Sequence, residues 1–86
     1  MKTKIYTLDY CPYCKRAINF FQENDIDFEQ IKIDEHEDFY LKKLKNDFKI
    51  RGEVTVPQII SNGVRIGGYS DLVEKLQKGD IYLKDL

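Results

Sequence analysis

Two cysteines, Cys11 and Cys14, are the only ones in the chain, and their spacing and surroundings restrict its fold more than any other feature. The stretch Cys11-Pro12-Tyr13-Cys14 follows an apolar run and precedes an amphipathic one. Lys4-Ile5-Tyr6-Thr7-Leu8 is rich in β-branched and aromatic residues and predicts a short buried strand. Beyond Pro12, residues Cys14, Ala17, Ile18 and Phe21 recur at i, i+3, i+4 and i+7, which is one face of a helix. Proline suits the first helical position, because the N–H it lacks would have no partner there. Cys11 is therefore expected at or near the helix N-cap, with Cys14 one turn in on the buried face.

That placement carries chemistry. The first-turn N–H groups and the helix dipole present partial positive charge to the Cys11 sulfur and favour its thiolate. A free cysteine titrates near pH 8.5, and such surroundings lower this to roughly 3.5–7.5. Lys15 and Arg16 add to the positive field. Cys14, facing inward, is expected to stay protonated until it is needed. The pair thus supplies an attacking thiolate and a resolving thiol within disulfide reach. A purely structural bridge is the plain alternative, but so short a loop constrains the unfolded chain little. Half of a zinc site is another, yet no second cysteine pair exists and His36 is the only histidine.

Eighty-six residues predict one domain, 1–86, and 42% hydrophobic residues suffice for a small core. A net charge of −1 gives no electrostatic case for nucleic acid or an acidic membrane surface. Met1-Lys2-Thr3-Lys4 leads into only a short apolar run, so neither a signal peptide nor a transmembrane span is expected. The expected location is the cytoplasm, a reducing compartment where two cysteines are more often catalytic than structural.

The first helix should run from about Pro12 to Glu23 or Asn24. Phe28-Glu29-Gln30-Ile31-Lys32-Ile33 alternates apolar and polar residues and predicts a second strand. Strand, helix, strand with short joins is a βαβ unit with parallel strands and a right-handed crossover. Asp34-Glu35-His36-Glu37-Asp38 is the one charge cluster. It has the composition of a metal site, but Asp34 and Glu37 also have capping-box spacing, and acidic side chains suit a helix start. The capping reading is preferred. Glu37, Leu41, Leu44 and Phe48 then mark a surface-packed helix, broken at Arg51-Gly52-Glu53. Val54-Thr55-Val56-Pro57-Gln58-Ile59-Ile60 reads as a strand whose proline sits where no ladder donor is required. Ser61-Asn62-Gly63 signals a turn, so Val64-Arg65-Ile66 should return antiparallel as a hairpin. After Gly67-Gly68, residues Tyr69, Leu72, Val73 and Leu76 mark a last helix ending near Gly79. Ser70 or Asp71 can cap it, and Asp71 with Glu74 has capping-box spacing. Residues 80–86 carry no pattern.

A βαβ unit with CPYC at its first βα turn, followed by helix, hairpin and helix, resembles the thioredoxin fold. The chain is similar specifically to the glutaredoxins, over nearly its whole length. The resemblance rests on Cys11-Pro12-Tyr13-Cys14, on Thr55-Val56-Pro57-Gln58-Ile59 and on Gly67-Gly68-Tyr69-Ser70-Asp71-Leu72. It implies an α/β, thioredoxin-like fold: a four-stranded mixed sheet, ordered second, first, third, fourth strand, flanked by three or more helices. It also implies a cis peptide before Pro57, in a loop facing the nucleophilic Cys11. Thr55, Val56 and Pro57 would then offer the Val56 backbone to an extended ligand, as an added strand does. For glutathione, that ligand segment is the cysteinyl residue. Gly68, Ser70 and Asp71 would receive its γ-glutamyl end, the carboxylate on helix N–H groups and the ammonium on the Asp71 side chain. Tyr13 would border the bound tripeptide.

One position departs from the family. Many glutaredoxins carry a lysine or arginine three residues before the first cysteine, and here that position is Leu8, followed by Asp9. The departure predicts weaker recognition of the ligand's glycine carboxylate and a higher Cys11 pKa than the family norm. Arg51, Lys15 and Arg16 are candidate substitutes, and Glu53 would not help bind an anion.

The function implied is glutathione-dependent thiol–disulfide exchange on protein disulfides and protein–glutathione mixed disulfides, with Cys11 as nucleophile and Cys14 as resolving thiol. Glutathione would be the reducing co-substrate, with no bound cofactor or metal, and the partners would be disulfide-containing or glutathionylated proteins. A reductase such as ribonucleotide reductase could receive the electrons. A monomer is expected. The rival reading is a dimer around an iron–sulfur cluster, although proline at position 12 is associated with the clusterless, redox-active members.

Overall fold

The computed structural model describes residues 2–86. Its elements run β1 (Thr3–Thr7), α1 (Pro12–Glu23), β2 (Glu29–Lys32), a 3₁₀ turn (Asp34–His36), α2 (Glu37–Phe48), β3 (Gln58–Ser61), β4 (Val64–Gly67), α3 (Tyr69–Lys78) and a second 3₁₀ turn (Leu83–Asp85). The strands form one sheet in the order β2-β1-β3-β4. β1 and β2 are parallel, with Ile5 opposite Gln30, and β3 is antiparallel to both β1 and β4. This is the mixed α/β sheet that the resemblance implied.

Period-two alternation divides the core between the two faces of the sheet. Ile5 and Ile59 point to one face, where they pack with Ala17 and Phe21 of α1, Ile66, Leu72 of α3 and Leu86. Their neighbours Tyr6 and Ile60 point to the other, against Leu41, Leu44 and Phe48 of α2. Two helices therefore cover one face and a single helix the other. Phe21 anchors the larger side, its ring edge-on to Phe28 at 5.6 Å.

Several boundaries differ from those predicted, each for a local reason. The Asp34–Glu37 capping box does not form. A 3₁₀ turn intervenes, the N-cap of α2 is His36 without a side-chain bond, and the Asp34 carboxylate accepts the Asp9 N–H at 3.0 Å. The last helix starts earlier than Ser70: Gly68 is its N-cap, and Asp71 reaches back from the third helical position to accept the Gly68 N–H at 2.9 Å. β3 begins only at Gln58, because Val54–Pro57 leaves the ladder ahead of the proline. Residues 80–86 close the far end of the core. Leu86 is buried, and Thr3 and Ser61 hydroxyls donate to the Leu86 and Asp85 carbonyls at 3.3 and 3.4 Å.

Among the described residues, no helix is long and apolar enough to cross a membrane. The acidic cluster around His36 forms the 3₁₀ turn Asp34–His36 and the first turn of α2, with Glu37 and Asp38 at its start.

Candidate active site at the first strand–helix junction

β1 ends at Thr7, and the three residues Leu8–Tyr10 carry the chain to the head of α1. This short join is held by the Asp34 carboxylate on the Asp9 N–H and by an exposed Lys32–Asp9 contact of 3.9 Å. Cys11 then adopts extended backbone (φ −143°, ψ 98°) as the N-cap, with Pro12 at the first helical position. The Cys11 sulfur takes the place of a capping oxygen and accepts the Cys14 N–H at 3.2 Å. Both placements follow the sequence reading.

Cys11 and Cys14 are joined as a disulfide, with Cα atoms 5.1 Å apart. Cys11 is 8% exposed and Cys14 3%, so the first cysteine is the more accessible and neither stands free in solvent. Across from them the Val56–Pro57 peptide is cis, and the Val56 carbonyl oxygen lies 3.6 Å from the Cys11 sulfur. Beyond that contact, no hydrogen bond from the described residues engages the Val56 backbone. It is left available to a ligand.

An open cleft of about 400 Å³ adjoins the dithiol. Tyr13 forms one wall, Thr55, Val56 and Pro57 a second, and Gly68, Ser70 and Asp71 the third. The residues named from sequence thus meet at one place. Tyr69 also lines it and was missed, because its helical spacing marked it only as a packing residue. Gly67, at φ +112°, has no room for a side chain: a Cβ there would sit 2.5 Å from an Asp71 carboxylate oxygen. That tight approach aims Asp71 back at the Gly68 N–H.

The cations distribute unevenly around the sulfur. Arg16 lies over the Tyr13 ring at 5.2 Å, a cation–π contact beside the cleft. Lys15 faces a second cleft of about 310 Å³ on the other side of the dithiol, which Cys14, Leu8, Asp9 and Lys32 also line. Sequence reasoning missed Lys32, which strand pairing brings beside Thr7. Arg51 and Glu53 are exposed and line neither cleft.

A dithiol capping the helix after the first strand, with a cis-proline loop facing it across a β2-β1-β3-β4 sheet, defines a protein of the thioredoxin-like class. Within that class, the glutaredoxin family model matches residues 3–66, and the chain belongs to the glutaredoxin family. Glutaredoxin-C4 of Arabidopsis thaliana is 36% identical over 80 residues, covering 93% of this chain and 58% of that protein. The chain thus spans under two thirds of the length of that plant relative. Among solved structures, glutaredoxin 1 from Francisella tularensis complexed with cacodylate superposes with a TM-score of 0.76 at 33% identity, covering 88% of this chain and 92% of the other. The buckwheat glutaredoxin–glutathione complex gives a TM-score of 0.78 at 26% identity, covering 91% and 70%.

Proposed function

We propose that this chain is a glutathione-dependent thiol–disulfide oxidoreductase, folding as one domain over 1–86 and acting as a cytoplasmic monomer. The observation that carries the reading is the cleft itself. Its Thr55-Val56-Pro57 wall reaches the Cys11 sulfur through the Val56 carbonyl, and its far wall is the Gly68–Asp71 helix start. Glutathione laid along Val56 as a short added strand would carry its sulfur to Cys11. Its γ-glutamyl end would meet Gly68, Ser70 and the Asp71 carboxylate, with Tyr13 bordering the tripeptide.

The Cys11 thiolate attacks the glutathione sulfur of a protein–glutathione mixed disulfide. The S–S bond breaks, the protein thiolate leaves and takes up a proton, and a Cys11–glutathione disulfide forms. A second glutathione thiolate then attacks that disulfide, freeing Cys11 and releasing oxidised glutathione. On a protein disulfide, Cys14 instead attacks the Cys11–protein bond and closes the Cys11–Cys14 bridge, which two glutathiones reopen. Donation to a reductase such as ribonucleotide reductase is this second route with the reductase's disulfide as substrate. Coupled turnover of a glutathionylated peptide, with glutathione as sole reductant, tests the proposal. Saturable turnover is expected, and none above the uncatalysed exchange rate would overturn it.

A further inference from the structure

The sheet face covered by a single helix leaves an open flank, and that flank is a cleft of about 450 Å³ remote from the dithiol. Its floor is Lys4 and Tyr6 of β1 and Ile60 of β3, which alternation turns toward α2. Its wall is Tyr40, Leu44 and Phe48 of α2. The Tyr6 and Tyr40 rings lie 6.1 Å apart and tilted by 52°, so they present flat surface and edge to the same space.

Charge at the mouth is unbalanced. Lys2, Lys4 and Lys43 line it with a single carboxylate, Asp47, and Asp47 is already paired to Lys43 at 3.0 Å. Lys2 donates only to the Lys84 carbonyl, at 3.5 Å. Glu29 stands opposite Lys4 across the β1–β2 ladder but outside the cleft lining, and neither Lys2 nor Lys4 is ion-paired to a carboxylate within 4.0 Å among the described residues. Two exposed ammonium groups therefore stand beside an aromatic, apolar floor. The volume falls within the roughly 300–1,000 Å³ typical of small-molecule sites.

We propose that this cleft binds a planar aromatic anion of nucleotide size, its ring against Tyr6, Tyr40 and Phe48 and its anionic group on Lys2 and Lys4. The ring supplies the apolar burial that the single-helix face lacks, and the lysines supply the sign. Nothing in thiol exchange uses these residues, so the site is independent of the dithiol cleft.

Amide NMR titration of the full chain with adenosine monophosphate, adenosine and ribose 5-phosphate tests this. Adenosine monophosphate should give saturable shifts at Tyr6, Tyr40, Ile60 and Gly63 and none at Cys11–Cys14. Adenosine and ribose 5-phosphate should each bind several-fold more weakly. Lys4→Glu should weaken the complex about fivefold, the upper range for an exposed charge contact, and added salt should shrink that difference. Tyr40→Ala should weaken it at any salt concentration, with disulfide exchange unchanged in both variants as the check on folding. Absent or non-saturable shifts, shifts centred on the dithiol, equal affinity for adenosine or ribose 5-phosphate, or a Lys4→Glu variant that binds normally would each overturn the proposal.

Discussion

The Cys11 sulfur accepts the backbone N–H of Cys14 at 3.2 Å, so the proposed nucleophile is itself the cap of the helix that carries its proposed resolving partner. A hydrogen bond to the charged form favours that form, and the positive end of α1 acts in the same direction. Opposing them, the Val56 carbonyl oxygen stands 3.6 Å away on the other side of the sulfur. A protonated thiol can donate to that oxygen, whereas a thiolate cannot. The sulfur therefore sits between a donor that favours the anion and an acceptor that favours the acid.

This geometry predicts a division of labour between the cysteines. Cys11→Ser should abolish exchange on every substrate, because it removes the more accessible sulfur, the one that caps the helix. Cys14→Ser should keep turnover on glutathionylated peptides, where a second glutathione resolves the intermediate, and lose most activity on protein disulfides. Assays of both variants on both substrates check this. Equal loss in the deglutathionylation assay would rule out the monothiol route.

Asp71 has two roles that substitution can separate. Its carboxylate accepts the Gly68 N–H at 2.9 Å, and it also lines the cleft proposed for glutathione. Asp71→Asn keeps an acceptor for Gly68 but loses the charge, so its thermal midpoint should stay close to that of the parent while KM for glutathione rises a few-fold. Asp71→Ala should in addition lose about 0.3–1 kcal/mol of stability. If KM is unchanged in both variants, Asp71 is a helix cap and nothing more.

Local pattern made much of this legible. Proline after Cys11 and the i, i+3, i+4, i+7 face of Cys14, Ala17, Ile18 and Phe21 placed α1 and the dithiol on it, since both signals act within one helix. Three motifs far apart in sequence named the walls of the cleft through the family resemblance. The misses are tertiary. Asp34 looked like a helix cap because spacing alone defines a capping box, but parallel pairing of β2 with β1 delivered it to the Asp9 N–H instead. Asp71 looked like an N-cap, but the left-handed backbone at Gly67 lets the helix begin earlier and turns Asp71 back on Gly68. Leu86 showed no periodicity because one side chain at the end of a 3₁₀ turn has none, yet it joins the buried cluster of Ile5, Phe21 and Leu72.

Leu86→Ala accordingly should destabilise the fold, by about 2–5 kcal/mol, the range for truncating a buried leucine. Denaturant midpoints at constant slope measure it. A change of only a few tenths would mean that the Asp85 and Leu86 carbonyl contacts, not the side chain, hold the tail.

Tyr6 sets an alkaline limit. Burial pushes its pKa above 10.0, with the nearby Lys43 opposing and Tyr40, Glu29 and Asp47 adding smaller upward contributions. The folded pKa exceeds the unfolded one, so the folded state retains this proton to higher pH than the unfolded state does. The corresponding stability is full below the unfolded pKa and is lost as pH rises through 10 towards the folded value. Tyr6→Phe should flatten the decline in unfolding midpoint between about pH 9 and about pH 11. Lys43 and Lys78, whose exposed ion pairs with Asp47 and Glu74 raise their pKa values, contribute in the same direction in both proteins. The Tyr6 charge also raises the Lys43 pKa, so the difference between the two curves reports Tyr6 together with its coupling to Lys43, and parallel curves would assign the whole decline elsewhere.

Leu8 is where the chain leaves its family, and the structure sharpens what a substitution there would do. Leu8 is half-buried in the cleft that Cys14 also lines, with Asp9 and Lys32 at 3.9 Å on its rim. A lysine at position 8 would bring a cation to the dithiol that leucine cannot supply, and the Cys11 thiolate would be favoured by opposite charge. Asp9 competes for that cation, and its present contact with Lys32 is long and exposed, so the net gain is that of a partly screened pair. Such contacts are worth roughly 0.2–1 kcal/mol, which makes Leu8→Lys a several-fold effect at most on thiolate fraction and on KM for glutathione. Thiolate absorbance against pH and KM at low and high salt measure both quantities. A lower Cys11 pKa and lower KM at low salt, shrinking as salt is added, are expected. If both stay unchanged, Arg16 beside Tyr13 or Lys15 beside Cys14 already supplies the missing charge, and Arg16→Ala and Lys15→Ala then show which by raising the pKa.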